Sequence, residues 1–158
     1  MHIHLIAVGK RMPQWVTTGY DEYAKRMPRH CDLRLVEIAA GHRGKNADLE
    51  RINREEGERL LAVIPTGARV IALERRGRNK STEDLAVALD RWMQEGQDVA
   101  LLIGGPEGLS KLCQQRADEI WSLSSMTMAH PIVRVVLAEQ LYRAWSIHAG
   151  LPYHRGNE

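Results

Sequence analysis

The amino-acid sequence predicts an α/β fold, a three-layer sandwich with a mainly parallel sheet. Strand-like and helix-like segments alternate along the chain, which is the order that βαβ units produce. Two apolar runs, 69–73 and 98–103, show little alternation of polar and apolar residues, as expected for strands covered by helices on both faces. The length of 158 residues fits a single domain spanning residues 1–158.

The first half of the chain contains two predicted strands and two predicted helices. Residues 2–8 and 31–38 alternate between polar and apolar side chains, which is typical of strands. A helix is predicted between them over 13–27, with one proline in its first turn and another directly after its end. A basic, glycine-containing loop at 39–46 precedes a second helix at 47–64.

The second half continues the same alternation. The buried strand at 69–73 leads into a predicted basic loop at 74–81. Ser81 followed by Asp84 resembles a capping box and predicts the start of a third helix, which ends near Gly96. The remaining predicted elements are a strand at 98–103, a helix at 109–117, a strand at 120–124 and a long helix at 130–150.

The composition is that of a reduced, cytoplasmic protein. A formal net charge of only +2 is not the strongly basic balance that by itself indicates a nucleic-acid-binding protein. The two cysteines, Cys31 and Cys113, lie on separate predicted elements, and no zinc-site spacing is present, so no metal is expected. We expect no signal peptide and no membrane span, because no apolar stretch is long enough.

The segment LLIGGPEGLS at 101–110 takes an apolar strand directly into a glycine-rich loop. It matches neither the P-loop pattern nor the dinucleotide-binding pattern, so a phosphate site is not indicated. Considered alone, it is explained by a tight connection between a strand and a helix. A second loop, LSSMTMAHP at 123–131, offers backbone donors and acceptors beside apolar side chains. That combination suits an uncharged planar group such as adenine.

Three predicted strand ends are candidates for one shared binding site. They lie at Leu73, at 103–105 and at 122–128, far apart in the sequence. Ligands of open parallel sheets bind at the carboxyl ends of the strands, and these ends meet at one edge. We therefore expect a ligand site at that edge.

Two groups of basic residues lie in the predicted loops. One contains Arg43 and Lys45, and the other contains Arg75, Arg76, Arg78 and Lys80. Charged runs are usually solvated surface, and in a nearly neutral protein these two groups also suggest phosphate contacts.

The last predicted helix is apolar around much of its circumference. Its apolar residues are Ile132, Val133, Val135, Val136, Leu137, Leu141, Trp145 and Ile147. The pattern fits a central core helix, and it also fits a helix with one face on the sheet and another in a dimer interface. Glu139 and Arg143 have the i, i+4 spacing of an ion pair, at the surface or partly buried.

The terminal segment LPYHRGNE, residues 151–158, places Tyr153, His154 and Arg155 side by side. Terminal residues often fray, so a disordered tail is the simplest explanation. Histidine beside tyrosine and arginine can also handle a proton and stabilise a developing anion. His130 is a weaker candidate, because its position directly before Pro131 is also explained by a role in capping the helix or shaping the loop.

Several longer motifs carry a family resemblance. They are LIGGPEGL, LSSMTMAHPIVRVVLAEQLYRAWSI and PYHR, together with LIAVGK and AGHRGKNAD nearer the N-terminus. Through them the sequence resembles the RlmH family of ribosomal RNA methyltransferases over residues 1–155. The resemblance implies a SPOUT-class fold, with a C-terminal trefoil knot in a cofactor-binding region of about residues 70–150, and a homodimer. It also implies that S-adenosylmethionine donates a methyl group to N3 of a pseudouridine. The target lies in the subunit-interface stem-loop of 23S ribosomal RNA, on the assembled ribosome.

The resemblance further implies the residues that contact the cofactor. They are Leu73, Gly104, Leu123, Ser124, Ser125, Met126, Thr127 and Met128. These positions coincide with the three strand ends identified above. No metal is expected to take part in a direct transfer of the methyl group.

Candidate residues for the reaction come from the tail and the last helix. His154 is the first candidate for proton handling, and Arg155 or Arg143 for stabilising the anion that forms on the target base. Tyr153 can stack on that base. In a dimer we expect the tail to reach the cofactor site of the partner, and to be mobile in the free protein.

Two other classes of function remain open at this point. One is a non-catalytic ribosome-binding module with the same fold, which would not transfer a methyl group. The other is an ATP-dependent transferase, and against it stands the absence of a lysine in the P-loop position, since Lys111 follows the loop without the required order.

Overall fold

The computed structural model describes residues 1–155, in which five parallel strands form one sheet. The strands are β1 (His2–Val8), β2 (Asp32–Ile38), β3 (Arg69–Asn79), β4 (Val99–Ile103) and β5 (Glu119–Ser122). Their order in the sheet is β2-β1-β4-β3-β5. The helices are α1 (Gln14–Ala24), α2 (Leu49–Ala62), α3 (Thr82–Glu95), α4 (Lys111–Arg116) and α5 (His130–His148), and a short 3₁₀ helix covers Arg29–Cys31. The last three residues of the predicted tail, 156–158, lie outside the described residues.

Helices cover both faces of the sheet, and β1 illustrates how its sequence dictates this. Because successive side chains of a strand point to opposite faces, Leu5 and Ala7 join one hydrophobic cluster and Ile6 and Val8 join another. The first cluster includes residues of α1, α3 and α5, and the second includes residues of α2 and α4. The predicted three-layer α/β sandwich is therefore confirmed, whereas the knot and the domain boundaries stay predictions.

The third helix begins and ends as its sequence predicts. The Ser81 hydroxyl accepts a hydrogen bond from the Asp84 amide at 3.0 Å, and the Asp84 carboxylate accepts one from the Ser81 amide at 2.9 Å. This is a complete capping box. Gly96 ends the helix in the left-handed conformation, with φ of +68°. The other four predicted helices are also present, and each end lies within three residues of its predicted position. They were predicted at 13–27, 47–64, 109–117 and 130–150.

The predicted loop at 74–81 is wrong, because β3 continues through Asn79. After a register shift beyond Leu73, Arg78 pairs with Trp121 of β5. A Cβ atom on Gly77 would lie only 2.8 Å from the backbone of Ile120, so glycine is what permits this close approach. Backbone pairing with β5 thus outweighs the loop-like composition of the segment, and the basic side chains stand on a strand.

The last helix, α5, packs between α1 and α3. Leu137 and Leu141 are fully buried on its inner face, which confirms that it is a core helix. Ile132 and Ile147 remain exposed on other faces. The dimer interface expected for such a face stays a prediction.

None of the helices within residues 1–155 combines the length and apolar character that crossing a bilayer requires.

Candidate functional site

A cavity of about 530 Å³ opens at the carboxyl ends of β4 and β5, beside the middle of β3 at residues 73–75. Its volume lies within the range of small-molecule sites in proteins. Seven of the eight predicted cofactor residues line it: Leu73, Gly104, Leu123, Ser124, Met126, Thr127 and Met128. The strand end predicted at Leu73 is wrong, because β3 continues to Asn79. Ser125 is not among the lining residues, and His130, the weaker catalytic candidate, is. The sheet thus brings together three segments that are distant in sequence.

Residues 104–108 form one wall of the cavity as a tight turn, and their glycines allow the turn to close. The Gly108 amide donates to the Gly105 carbonyl at 2.9 Å, and Gly108 has a positive φ of +77°. A Cβ atom on Gly104 would lie 2.4 Å from the carbonyl carbon of Gly108. Gly104 is therefore required by the backbone of the turn itself, as expected for a tight connection between a strand and a helix.

The opposite wall, residues 123–128, is shaped by two serine hydroxyls. Ser122 donates to the Ser124 carbonyl at 2.9 Å, and the Ser124 hydroxyl accepts from the Met126 amide at 3.0 Å. Met126 is 77% exposed, so this loop presents a large apolar side chain to whatever approaches the cavity.

The charged side chains of the cavity are mixed in sign. Glu74, Arg75 and Glu107 line it, and the Glu107 carboxylate is itself paired with Arg43 at 2.6 Å. The Glu74 carboxylate repels a polyphosphate and complements a ligand that carries positive charge. Within residues 1–155, no group of three or more histidine, cysteine or acidic side chains is placed to hold a metal ion.

Beside the cavity, a buried arginine fastens α5 to the sheet. Arg134 is 1% exposed, and its guanidinium donates to the Val8 and Gly9 carbonyls at 3.1 and 2.8 Å. It also pairs with Glu37 at 2.6 Å. His130 lies one helical turn before Arg134. Burial lowers the pKa of His130, and the positive charge of Arg134 lowers it further. The first turn of α5 is thereby fixed against the carboxyl ends of β1 and β2.

Of the predicted catalytic residues, Arg143 and Tyr153 contact Glu139, and His154 contacts Arg143. Arg143 Nε donates to Glu139 Oε1 at 2.8 Å, and the Tyr153 hydroxyl donates to the same oxygen at 3.2 Å. The Arg143 guanidinium lies 4.8 Å from the centre of the Tyr153 ring. Burial and the Glu139 charge raise the pKa of Tyr153 to about 12, so its phenol stays protonated near neutral pH. Arg155, at the end of the described residues, is exposed.

The contacts of His154 define its tautomer. Arg143 Nη1 lies 3.3 Å from His154 Nδ1, and His154 Nε2 lies 3.2 Å from Glu83 Oε1. Because a guanidinium only donates, Nδ1 accepts and the Nε2 proton faces the carboxylate. In the neutral tautomer that fits both contacts, the Nδ1 lone pair is directed at Arg143.

Within one chain, this tail cluster is separated from the cavity. Val133 lines the cavity, and Arg143 follows it ten residues later on the same helix, which corresponds to about 15 Å along the helix axis. The structure brings seven of the eight predicted cofactor residues together near the start of α5, and Arg143, Tyr153 and His154 together near its end.

Comparison with known proteins assigns the family. Residues 1–154 match the family described as "Predicted SPOUT methyltransferase". The chain is 59% identical over 155 residues to "Ribosomal RNA large subunit methyltransferase H" of Thioalkalivibrio sulfidiphilus (strain HL-EbGR7), covering 98% of this chain and 99% of the relative. It is 54% identical to the protein of the same name from Methylococcus capsulatus (strain ATCC 33009 / NCIMB 11132 / Bath), covering 98% and 100%.

Solved structures agree with this assignment at the level of the fold. A probable methylase family protein of Haemophilus influenzae Rd KW20 superimposes with a TM-score of 0.59 at 9% identity, covering 98% of this chain and 70% of that one. A probable methyltransferase of Bordetella pertussis Tohama I gives a TM-score of 0.55 at 15% identity, covering 90% and 95%. From the family match and the close relatives together, the chain belongs to the SPOUT methyltransferase family.

Proposed function

We propose that this protein uses S-adenosylmethionine to methylate N3 of a pseudouridine in large-subunit ribosomal RNA, on the assembled ribosome in the cytoplasm. The observation that carries the proposal is the cavity at the ends of β4 and β5, beside the middle of β3, lined by seven of the eight expected cofactor residues. The names of the relatives at 54–59% identity point to ribosomal RNA of the large subunit as the substrate.

The chemistry of the cavity fits the proposed cofactor. Leu73, Leu123 and Val133 offer apolar contact for an adenine ring, and the loops at 104–108 and 123–128 offer backbone polar groups. The Glu74 carboxylate complements positive charge on the ligand. When bound, S-adenosylmethionine supplies a methyl group activated by its sulfonium.

The tail cluster supplies the groups that the nucleophile needs. The N3 position of pseudouridine is an imide nitrogen, which must lose its proton before it can attack. His154 Nδ1 is the proposed acceptor of that proton, once Arg143 turns from it towards the negative charge on the base carbonyls. Arg155 is a second candidate for stabilising that charge. Tyr153, whose hydroxyl binds Glu139, presents a ring on which the base can stack.

The distance between the two sites supports a homodimer with composite active sites. About 15 Å of helix separates the cavity from Arg143 in one chain, which is too far for a single methyl transfer. A partner arranged by a two-fold axis places each tail over the other chain's cavity. The exposed side chains of Met126, beside the cavity, and Ile132, on α5, are available to such a partner.

The basic side chains of β3 are the proposed contacts to the RNA backbone. Arg75 lines the cavity, and Arg76 and Arg78 are exposed on the same strand extension. Lys80 lies 5.1 Å from the centre of the Trp121 ring, which holds the end of this segment against β5. Guanidinium groups on this extension of β3 can hold phosphates while the target base enters the cavity.

The proposal is tested with ribosomes from cells that lack the modification. Incubation with S-adenosylmethionine labelled in its methyl group is expected to transfer label to large-subunit RNA at one pseudouridine. Ribosome binding without transfer would support the non-catalytic module instead. Calorimetry compares the affinity for ATP with that for S-adenosylmethionine. Only an ATP-dependent transferase would bind ATP more tightly than S-adenosylmethionine.

A further inference from the structure

A single guanidinium group, that of Arg43, joins three elements beside the cavity. It contacts Glu56 on α2, the Gly41 carbonyl in its own loop, and Glu107 in the turn that lines the cavity. We refer to Arg43, Glu56 and Glu107 as the Arg43 bridge. The sequence suggested that Arg43 contacts phosphate, but these carboxylates already occupy its donors.

The Glu56 side of the bridge is rigid. The Glu56 side chain is 2% exposed, and its two oxygens accept from Arg43 Nη1 and Nη2 at 2.8 Å each. One of those oxygens also accepts from the Gly41 amide at 2.8 Å. A buried carboxylate with three charged or backbone donors does not release them readily, so the bridge is anchored on α2.

The Glu107 side of the bridge reaches the cavity wall. Arg43 Nη2 lies 2.6 Å from Glu107 Oε2, and Arg43 Nε lies within 3.2 Å of both Glu107 oxygens. This side is more open, because the Glu107 side chain is 27% exposed. A Cβ atom on Gly105 would lie 3.3 Å from Arg43 Nη2, so the turn rests directly against the guanidinium.

We infer that Arg43 is a positioning residue, which couples the loop at 39–48 to the cofactor cavity through Glu107. The inference rests on the proposed function, because it concerns the affinity for S-adenosylmethionine. A ligand that fixes the 104–108 turn fixes Glu107, and through Arg43 it fixes the loop that carries the exposed His42 and Lys45. Such coupling is reciprocal, so RNA that orders this loop tightens the cavity around the cofactor.

The test compares Glu107→Gln with Glu55→Gln. Glu107→Gln removes the negative charge and one acceptor oxygen on the cavity side of the bridge and leaves the Arg43–Glu56 pair intact, so we expect the fold to be retained. Glu55→Gln breaks a different exposed pair on α2, with Arg51 at 2.9 Å, and touches neither loop. An Arg43→Met variant is less informative alone, because it leaves the Glu56 charge buried without its partner. Arg43→Lys, which keeps the charge and loses the planar fork, is expected to behave like Glu107→Gln.

Two readouts are measured on the full-length protein. Calorimetry gives the dissociation constant of S-adenosylmethionine, and mass spectrometry follows tryptic cleavage after Lys45 with and without the cofactor. In the wild type and in Glu55→Gln, the cofactor is expected to slow that cleavage. In Glu107→Gln we expect affinity to fall about fivefold or more, and the protection of Lys45 to disappear.

The outcomes separate this inference from the proposed function. A wild-type protein that does not bind S-adenosylmethionine overturns both. A wild type that binds, beside a Glu107→Gln variant with equal affinity and equal protection of Lys45, overturns the inference alone.

Discussion

Replacing Arg134 with methionine tests whether this buried cation holds α5 against the sheet. Its guanidinium binds the Val8 and Gly9 carbonyls and the Glu37 carboxylate, all from the carboxyl ends of β1 and β2. Methionine has a similar length and fills much of the same space, so the change removes hydrogen bonds with little change in packing.

The expected cost follows from what is left behind. Two carbonyls lose a charged donor in a site where Arg134 is 1% exposed, and Glu37 loses its partner but is itself 31% exposed and returns to water. Removing one member of a buried pair costs about 3–5 kcal/mol, and the partial exposure of Glu37 favours the lower end of that range. For a chain of this size the loss corresponds to a fall in Tm of about 6–20 °C.

Urea unfolding monitored by tryptophan fluorescence measures the free energy directly. Glu37→Gln is the matched comparison, since Arg134 keeps both carbonyls, and we expect a loss of only about 1–2 kcal/mol. Arg51→Met, which breaks an exposed pair with Glu55, should cost less than about 1 kcal/mol. An Arg134→Met protein that is as stable as Arg51→Met would refute the role assigned to Arg134.

Further predictions concern the reaction, the RNA and pH. His154→Ala should lower methyl transfer on ribosomes about 10²–10⁴-fold with unchanged cofactor affinity; normal turnover would remove His154 from the mechanism. Replacing Arg75, Arg76 and Arg78 together with glutamine should weaken ribosome binding, and each lost phosphate contact should flatten the dependence of log affinity on log salt by about 0.7–0.9. An unchanged salt slope would argue against phosphate contacts. Because the folded state lowers the pKa of His130 below its usual 6.5, the unfolded chain binds the proton first, so stability is lost as the pH falls below that value. His130→Gln should reduce this loss between pH 7 and 5 in urea unfolding, and an identical pH dependence in the two proteins would contradict the assignment.

The architecture could be predicted from the sequence because local and tertiary signals agree. The alternation of His2 to Val8 places successive side chains on opposite faces, and both faces are covered. Ser81 and Asp84 form the predicted capping box, since that motif depends only on residues three apart. The ends of β4 and β5 that line the cavity followed from the parallel sheet, which orders every strand in one direction, whereas Leu73 lies within β3 and was wrongly predicted as a strand end.

The extension of β3 could not be predicted from local pattern. A segment rich in arginine with a central glycine has the composition of a loop. Gly77 is in fact the residue that lets the backbone of β3 lie against that of β5. The sequence alone does not distinguish a glycine required by a tertiary contact from a glycine required by a turn.

The Arg43 bridge also could not be predicted from the sequence. Helical spacing places Glu56 on the buried face of α2, four residues from both Ile52 and Leu60, but it does not identify the partner that a buried carboxylate requires. The partners lie 13 and 64 residues from Arg43, so only the fold brings them together. The tail illustrates the same limit, because the contacts of His154 with Arg143 and Glu83 depend on how α3 and α5 pack.

Complementation between two variants tests the composite site most directly. Thr127→Trp fills the cavity from an exposed lining position, and calorimetry should show that it no longer binds S-adenosylmethionine. His154→Ala removes the proposed proton acceptor. Each variant alone should be inactive on ribosomes.

After the two variants are unfolded together and refolded at equal amounts, half of the dimers should contain one chain of each. In those dimers one site combines both changes and the other has neither, so activity should return to about a quarter of the wild-type value. Mixed protein that stays inactive, while wild type treated in the same way recovers, would contradict the claim that the tail of one chain serves the cavity of the other.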